Sequence, residues 1–449
     1  MVPNSTNIRT ETLYEILSEN GLSSIFINIP LTYPPKEVKG VIVSSWLSPP
    51  FSNYTYPRDV YDKIKEIGYK IQPKSLHKEE KDFIEEVYDT TEKRIETTKW
   101  LIKNYDWDLL AVLITGTEHM HHNFAAFIDK NHPDYTPGQE DVVKKYYEFV
   151  DEKLGELLDA LGKDTNVFII SDHGFGPSYG EIYLNNLLKR YGYFKHKKKV
   201  SLTRRVFKFL EISGIANKLR SSIQVDIFRF APKFIQNLIK TGRADDIEAD
   251  WDSTKAYCTS ILGDIRINLK GREPRGIVER EEYENIRENI IKRICEDEDV
   301  KDVVECVYKK EDIFSGPCLR EIPDLYVKFK KCCTSSIKVI DDIIKGKRRD
   351  AGFHTMHGIL IAYGPDIAKG EVDGELVDIA PTVLHMLELP VLKNMDGKVL
   401  KGIFRKDSEP AKREVKFLER KMSGRKELTL SKKDEEKIKE RLKALGYIS

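Results

Sequence analysis

The chain has almost no net charge, no long apolar run and no cysteines at metal-ribbon spacing. Each absence removes a class of protein. Lys and Arg number 74 against 73 Asp and Glu, a formal charge of +1. Neither a broadly basic nucleic-acid coat nor an acidic disordered chain fits that balance. No stretch approaches the roughly 20 apolar residues that cross a bilayer; Val167–Ile170 and Ile359–Ala362 are typical runs, so no membrane span is expected. The six cysteines, Cys258, Cys295, Cys306, Cys318, Cys332 and Cys333, contain no Cys-x-x-Cys pair. That argues against a zinc ribbon and for free thiols in a reducing compartment. Met1-Val2-Pro3-Asn4-Ser5 offers neither a basic n-region nor an apolar h-region, so the expected location is cytoplasmic.

With 449 residues, 40% of them hydrophobic, two or three domains with sizeable cores are expected. Short apolar runs alternate with helical patterns through the first half. Helices are predicted over Glu11–Glu19, Glu79–Asn104 and Asp141–Leu161. Strands are predicted over Ser24–Ile29, Val41–Ser45, Leu109–Thr115 (a buried one) and Asn166–Ser171. Such alternation points to a mostly parallel α/β sheet with helices on both faces. Residues 191–250 show helical spacing without strands, and 257–322 look mixed, with a strand at Ile265–Leu269 and a helix at Glu281–Cys295. The α/β pattern resumes with Leu325–Phe329, Gly358–Tyr363 and a helix over Asp378–Glu388. The expected organisation is therefore 1–190 as the first part of a core, 191–322 as an inserted cap or substrate domain, and 323–449 as the second part of the core. A charged amphipathic helix is expected over Asp434–Leu445. The basic run Lys195–Lys199 reads as a solvated surface, and no nucleic-acid partner is expected.

Three groups of metal-type ligands flank these strands. Gly116-Thr117-Glu118-His119-Met120-His121-His122 follows one, Asp172-His173-Gly174 follows another, and His354 with His357 precedes a third. In open α/β sheets, ligands bind beyond the carboxyl ends of strands. Glu118 and His122 are four apart, so on a helix they share a face, leaving His119 and His121 either at the surface or behind the ligands as supporting residues. Carboxylate plus imidazole suits zinc, manganese or iron. Two such ions about 3.5–4 Å apart clamp the attacking and leaving oxygens of a phosphoryl displacement.

Ser171-Asp172-His173-Gly174-Phe175-Gly176-Pro177, followed by Leu184-Asn185-Asn186, resembles the type I phosphodiesterase/nucleotide pyrophosphatase family of the alkaline phosphatase superfamily. Pro30–Pro35, Thr55-Tyr56-Pro57, Asn268–Pro274, Pro323-Asp324-Leu325, Val377–Thr382, Met395-Asp396-Gly397 and Leu442–Tyr447 extend the resemblance along nearly the whole chain. It implies an alkaline-phosphatase-like, mostly parallel sheet sandwiched by helices, with an inserted cap. It also implies two divalent metal ions, usually zinc, and hydrolysis of phosphodiester or phosphomonoester bonds in a phosphate-ester or nucleotide substrate. By the resemblance Glu118, His122 and His354 hold one metal, and Asp172 and His173 the other.

The chain departs from the family in two respects. Glu118 stands where the family has Asp. The family's first core strand, with a metal-binding Asp, and its Thr or Ser nucleophile have no counterpart in residues 1–30, so no nucleophile is assigned. Completion by an upstream segment, or by a separately encoded N-terminal fragment that docks on the core, is the resulting expectation. The alternatives are a non-catalytic, decayed paralogue that acts as a binding or partner subunit, and, further off, a sulfatase or phosphomutase.

Overall fold

A computed structural model describes residues 4–49, 52–73, 80–197, 249–330, 333–340, 342–345, 352–420, 431, 434–435 and 437–439. They fall into two units, one drawn from 1–177 with 349–447 and the other from 178–348. The composition change near residues 191 and 322 thus lies inside the second unit.

The first unit opens with helix α1 (Leu13–Glu19), capped by Thr12, whose N–H donates to Glu15 Oε2 at 2.9 Å. Strands β1 (Ser24–Ile27), β2 (Gly40–Val43), β3 (Thr55–Tyr56) and β4 (Leu109–Val112) form one sheet in the order β3-β2-β1-β4. β1 runs parallel to both β2 and β4, and β3 is antiparallel. All four β1 side chains are buried, as a strand covered on both faces requires. Ile25 and Ile27 meet Val60 and Ile64 of helix α2 (Val60–Ile67) and Leu101 of helix α3 (Glu80–Asn104). Phe26 meets Tyr14 of α1 on the other face. Helices α4 (Gly116–Phe124) and α5 (Asp141–Ala160) pack with α3 around Phe83, Met120, Phe124, Val143 and Tyr146.

Strands β5 (Val167–Ile170) and β6 (Gly174–Pro177) follow. The second unit then contributes β7 (Gly180–Ile182), β8 (Ala256–Cys258), β9 (Asp264–Ile267), β10 (Val304–Lys309), β11 (Leu325–Phe329), β12 (Cys333–Ser335) and β13 (Ile344–Lys345). Its main sheet has the order β10-β11-β9-β8 and is antiparallel throughout. The helix Tyr283–Glu296 lays Ile286, Ile290 and Ile294, one face at spacing four, into a core with Ile265, Ile267, Leu325 and Val327. The chain returns to the first unit with β14 (Gly352–Thr355), antiparallel to β6, and β15 (Leu360–Tyr363), antiparallel to β5. The helix Ile379–Met386, with Pro381 in its first turn, follows.

Three expectations change. The run from Leu109 is a half-buried strand that stops at Val112 rather than a buried one reaching Thr115. Among the described residues β4 and β5 each ladder along one edge only, so their apolar side chains keep contact with water. β15 likewise leaves Ile361 and Tyr363 exposed. Gly174–Pro177 and Gly352–Thr355 are strands, although their glycines and proline give little β signal. Most of the 191–250 segment and of the Asp434–Leu445 helix lies outside the described residues; positions 434–435 and 437–439 are helical.

Candidate metal centre

The site begins where β4 ends. Leu113 N–H still reaches Ile27 O at 3.1 Å. The Leu113 carbonyl accepts instead from Asn28 Nδ2 at 3.1 Å and from the buried Arg94 Nη1 at 3.2 Å. Arg94 Nη1 also donates to Thr115 Oγ1 at 3.1 Å. These side-chain donors take the chain out of the ladder and hold the turn from which α4 starts. Gly116 then passes so close to the Tyr146 hydroxyl that a Cβ would overlap it. Gly116, Met120 and Phe124, four apart, form the buried face of α4. Glu118 and His122 consequently share the other side. Their Oε1 and Nε2 atoms are 3.6 Å apart.

The second approach is from β5 through β6. Ser171 fixes the exit of β5, accepting from Ile359 N–H on Oγ at 2.8 Å. Asp172 and His173 occupy the turn. His173 donates its Nδ1–H to Gly174 O at 2.9 Å, which leaves the lone pair on Nε2. Gly174 sits so close to His357 O and Thr355 Oγ1 that no side chain fits there. That closeness lets β6 ladder with β14. In the resulting register Phe175 lies opposite His354, so His354 is a strand residue rather than a loop residue ahead of Gly358.

Four of the five expected ligands converge. His354 Nε2 is 3.2 Å from His122 Nε2 and 3.6 Å from Glu118 Oε1. The His173 and His354 rings stack at 3.8 Å and 18°. Ligand atoms of Glu118, His173 and His354 all lie within 4.8 Å of one another. A tetrahedral ion with bonds near 2.1 Å separates its donors by about 3.4 Å. The three separations among Glu118, His122 and His354 match that edge, so this donor set fits one zinc-like ion. Asp172 is different: its side chain is 70% exposed against 18–24% for the other four. Among the described residues it approaches the group through His173, 3.6 Å away.

His119 and His121 are not surface residues. His119 is buried edge-on against Phe83, and burial pushes its pKa down to about 4. His121 stacks on Phe175 at 4.8 Å and 19°, and burial also drives it down to about 4. Both are neutral at pH 7. Sequence reasoning gave Asn28 and Arg94 no role. Arg94 is one of many charges in a 25-residue helix, and only its burial among Thr90, Thr91, Thr97 and Thr98 distinguishes it.

The family model for type I phosphodiesterase/nucleotide pyrophosphatase matches residues 3–358. No curated protein matches the chain in sequence. Among solved structures, phosphonoacetate hydrolase from Sinorhizobium meliloti 1021, in complex with phosphonoformate, is 12% identical at a TM-score of 0.44, covering 80% of this chain and 69% of that one. Human ectonucleotide pyrophosphatase/phosphodiesterase 5 is 13% identical at 0.42, covering 88% and 75%. An inactive form of the murine counterpart in complex with AMP is 12% identical at 0.42, with the same coverage.

Proposed function

The chain belongs to the type I phosphodiesterase/nucleotide pyrophosphatase family, and from that membership we propose a metal-dependent hydrolase of phosphodiester or phosphomonoester bonds. The observation that carries the proposal is the tetrahedral spacing of Glu118 Oε1, His122 Nε2 and His354 Nε2, at the carboxyl end of β4, where α/β sheets bind ligands. These three residues would hold one divalent ion, zinc by preference, with manganese or iron as alternatives. His173, with its Nε2 lone pair free, and the exposed Asp172 would contribute to a second. When bound, such ions stabilise charge on the phosphoryl oxygens and activate an oxygen nucleophile. The imidazoles supply neutral donors, Glu118 supplies one negative charge, and the unspent positive charge attracts a phosphate ester. Half-burial of the donors limits competing water.

The reading includes a further strand. β4 and β5 end at one site yet, among the described residues, do not pair with each other. A strand bringing a carboxylate and a Thr or Ser would find unpaired backbone groups on both. Turnover would depend on such a strand, whereas metal binding by Glu118, His122 and His354 would not. The Glu118 substitution supports a second reading, a non-catalytic binding subunit.

The test uses the purified chain of 449 residues. Zinc is titrated against a chromophoric chelator, and bis-p-nitrophenyl phosphate hydrolysis is followed in parallel. The wild type should bind zinc, and His354→Ala or His122→Ala should lose the ion. Wild-type affinity no better than that of both variants would sink the metal reading. Metal bound stoichiometrically, with hydrolysis still absent when the chain is expressed together with the coding sequence upstream of Met1, would favour the binding-subunit reading.

A further inference from the structure

The imidazoles of the centre share one packing partner. Phe175 meets His122 edge-on at 4.8 Å and 89°, and His354 at 5.3 Å and 67°. It meets His173 at 6.2 Å and stacks with His121 at 4.8 Å. These four rings come from α4, from the turn after β5 and from β14, so one benzyl side chain touches every element that brings an imidazole to the site. Gly352 makes room for it, since a Cβ there would overlap Phe175 Cε1.

Metal-binding histidines usually have the ring orientation fixed by a hydrogen bond from the second ring nitrogen. His173 has one, to Gly174 O. For His122 the neighbour is the Phe175 ring, perpendicular to the imidazole at 4.8 Å, a T-shaped arrangement favoured by the aromatic quadrupole. We infer that Phe175 is a positioning residue for the metal centre, its ring packing against His122 and His354 so as to restrict their rotation and aim His122 Nε2 at the ion. The inference rests on the proposed metal-binding function. It goes beyond it by giving affinity control to a residue with no donor atom.

The physical consequence is specific. Replacing the ring with a branched aliphatic group of similar apolarity keeps the site covered but removes the flat surface. The imidazoles then regain rotational freedom, and affinity falls by the amount typical of losing an outer orienting partner, about 10–100-fold. A core substitution on α4, at a residue that touches none of the four imidazoles, lowers stability without freeing the rings.

The experiment compares the full chain with Phe175→Leu, Phe124→Leu and His354→Ala. Phe124 lies in the buried face of α4, away from the ligands. Zinc affinity is measured by chelator competition, the visible spectrum of the cobalt-loaded protein reports ligand geometry, and urea midpoints without metal report stability. Phe175→Leu should weaken zinc at least tenfold and alter the cobalt spectrum. Phe124→Leu should leave both within about threefold of wild type. Equal affinity for wild type and Phe175→Leu overturns the inference, as does an equal loss in both Leu variants. Wild-type affinity no better than that of His354→Ala fails the underlying metal reading instead. If Phe175→Leu does not fold, Phe175→Met, closer in volume, takes its place under the same criteria.

Discussion

Asp324 shows how a residue picked out by sequence similarity can be structural. Its side chain is fully buried. Arg272 donates to both oxygens at 2.7 and 2.6 Å, Tyr283 Oη donates at 2.6 Å, Ile267 N–H at 2.7 Å and Lys310 Nζ at 3.0 Å. Burial alone would raise its pKa, but Arg272, Tyr283 and the Ile267 N–H outweigh it and bring the value to about 2. The folded value lies below the unfolded one, near 4. The unfolded chain therefore binds more protons between them, and the stability that Asp324 contributes is complete above about pH 4 and lost as pH falls through about 2. Asp324→Asn removes this dependence and leaves two buried cations undercompensated, an expected loss of about 3–5 kcal/mol at pH 7. Urea midpoints at pH 7, 4 and 2.5 check both points. A variant curve parallel to wild type would contradict the assignment. Asn268 has a similar role, its Nδ2 donating to Thr254 O and Arg275 O at 2.9 Å. At the candidate metal centre the i, i+4 spacing of Glu118 and His122 could be read directly. The involvement of Phe175 could not, because apolar residues carry no chemical signature until their neighbours are known.

At the scale of elements, the placement of α4 decides whether Glu118 and His122 face the site. The helix is seated by the close approach of Gly116 to Tyr146, whose hydroxyl bonds Thr91 Oγ1 at 2.7 Å. Gly116→Ala forces a Cβ into that hydroxyl, an overpacking expected to cost about 1–3 kcal/mol. Adding Tyr146→Phe should recover part of the loss, giving a non-additive double-mutant cycle in urea unfolding. Strict additivity would mean that the two residues are not in contact. The long helices and apolar strands were legible from their periodicity. Boundaries moved where side chains competed for the backbone, as at Leu113. The β6–β14 ladder was hidden because its glycines serve close approach rather than strand propensity.

At the scale of the molecule, the candidate metal ligands all lie in the unit formed by 1–177 and 349–447, while 178–348 has its own core. Anything that binds only the folded first unit stabilises that unit, by about 2.7 kcal/mol at a hundredfold excess over Kd. Zinc should therefore raise the unfolding transition reported by Trp46, Trp100 and Trp107 and leave that reported by Trp251 in place. Single-tryptophan variants followed by fluorescence separate the two. A common shift would mean that the units unfold together. Among the described residues no helix is long and apolar enough to cross a membrane.

By itself the sequence determined the class of fold, the family and the helical pairing of Glu118 with His122. All three are written in short-range periodicity and in motifs of a few adjacent residues. Only the tertiary structure decided that His354 faces Phe175 across a ladder, that His173 joins the group while Asp172 stays in solvent, and that one aromatic ring touches four imidazoles. Those contacts join residues far apart in the chain, and strand register is fixed by close backbone approach at Gly174 and Gly352, which no local pattern encodes.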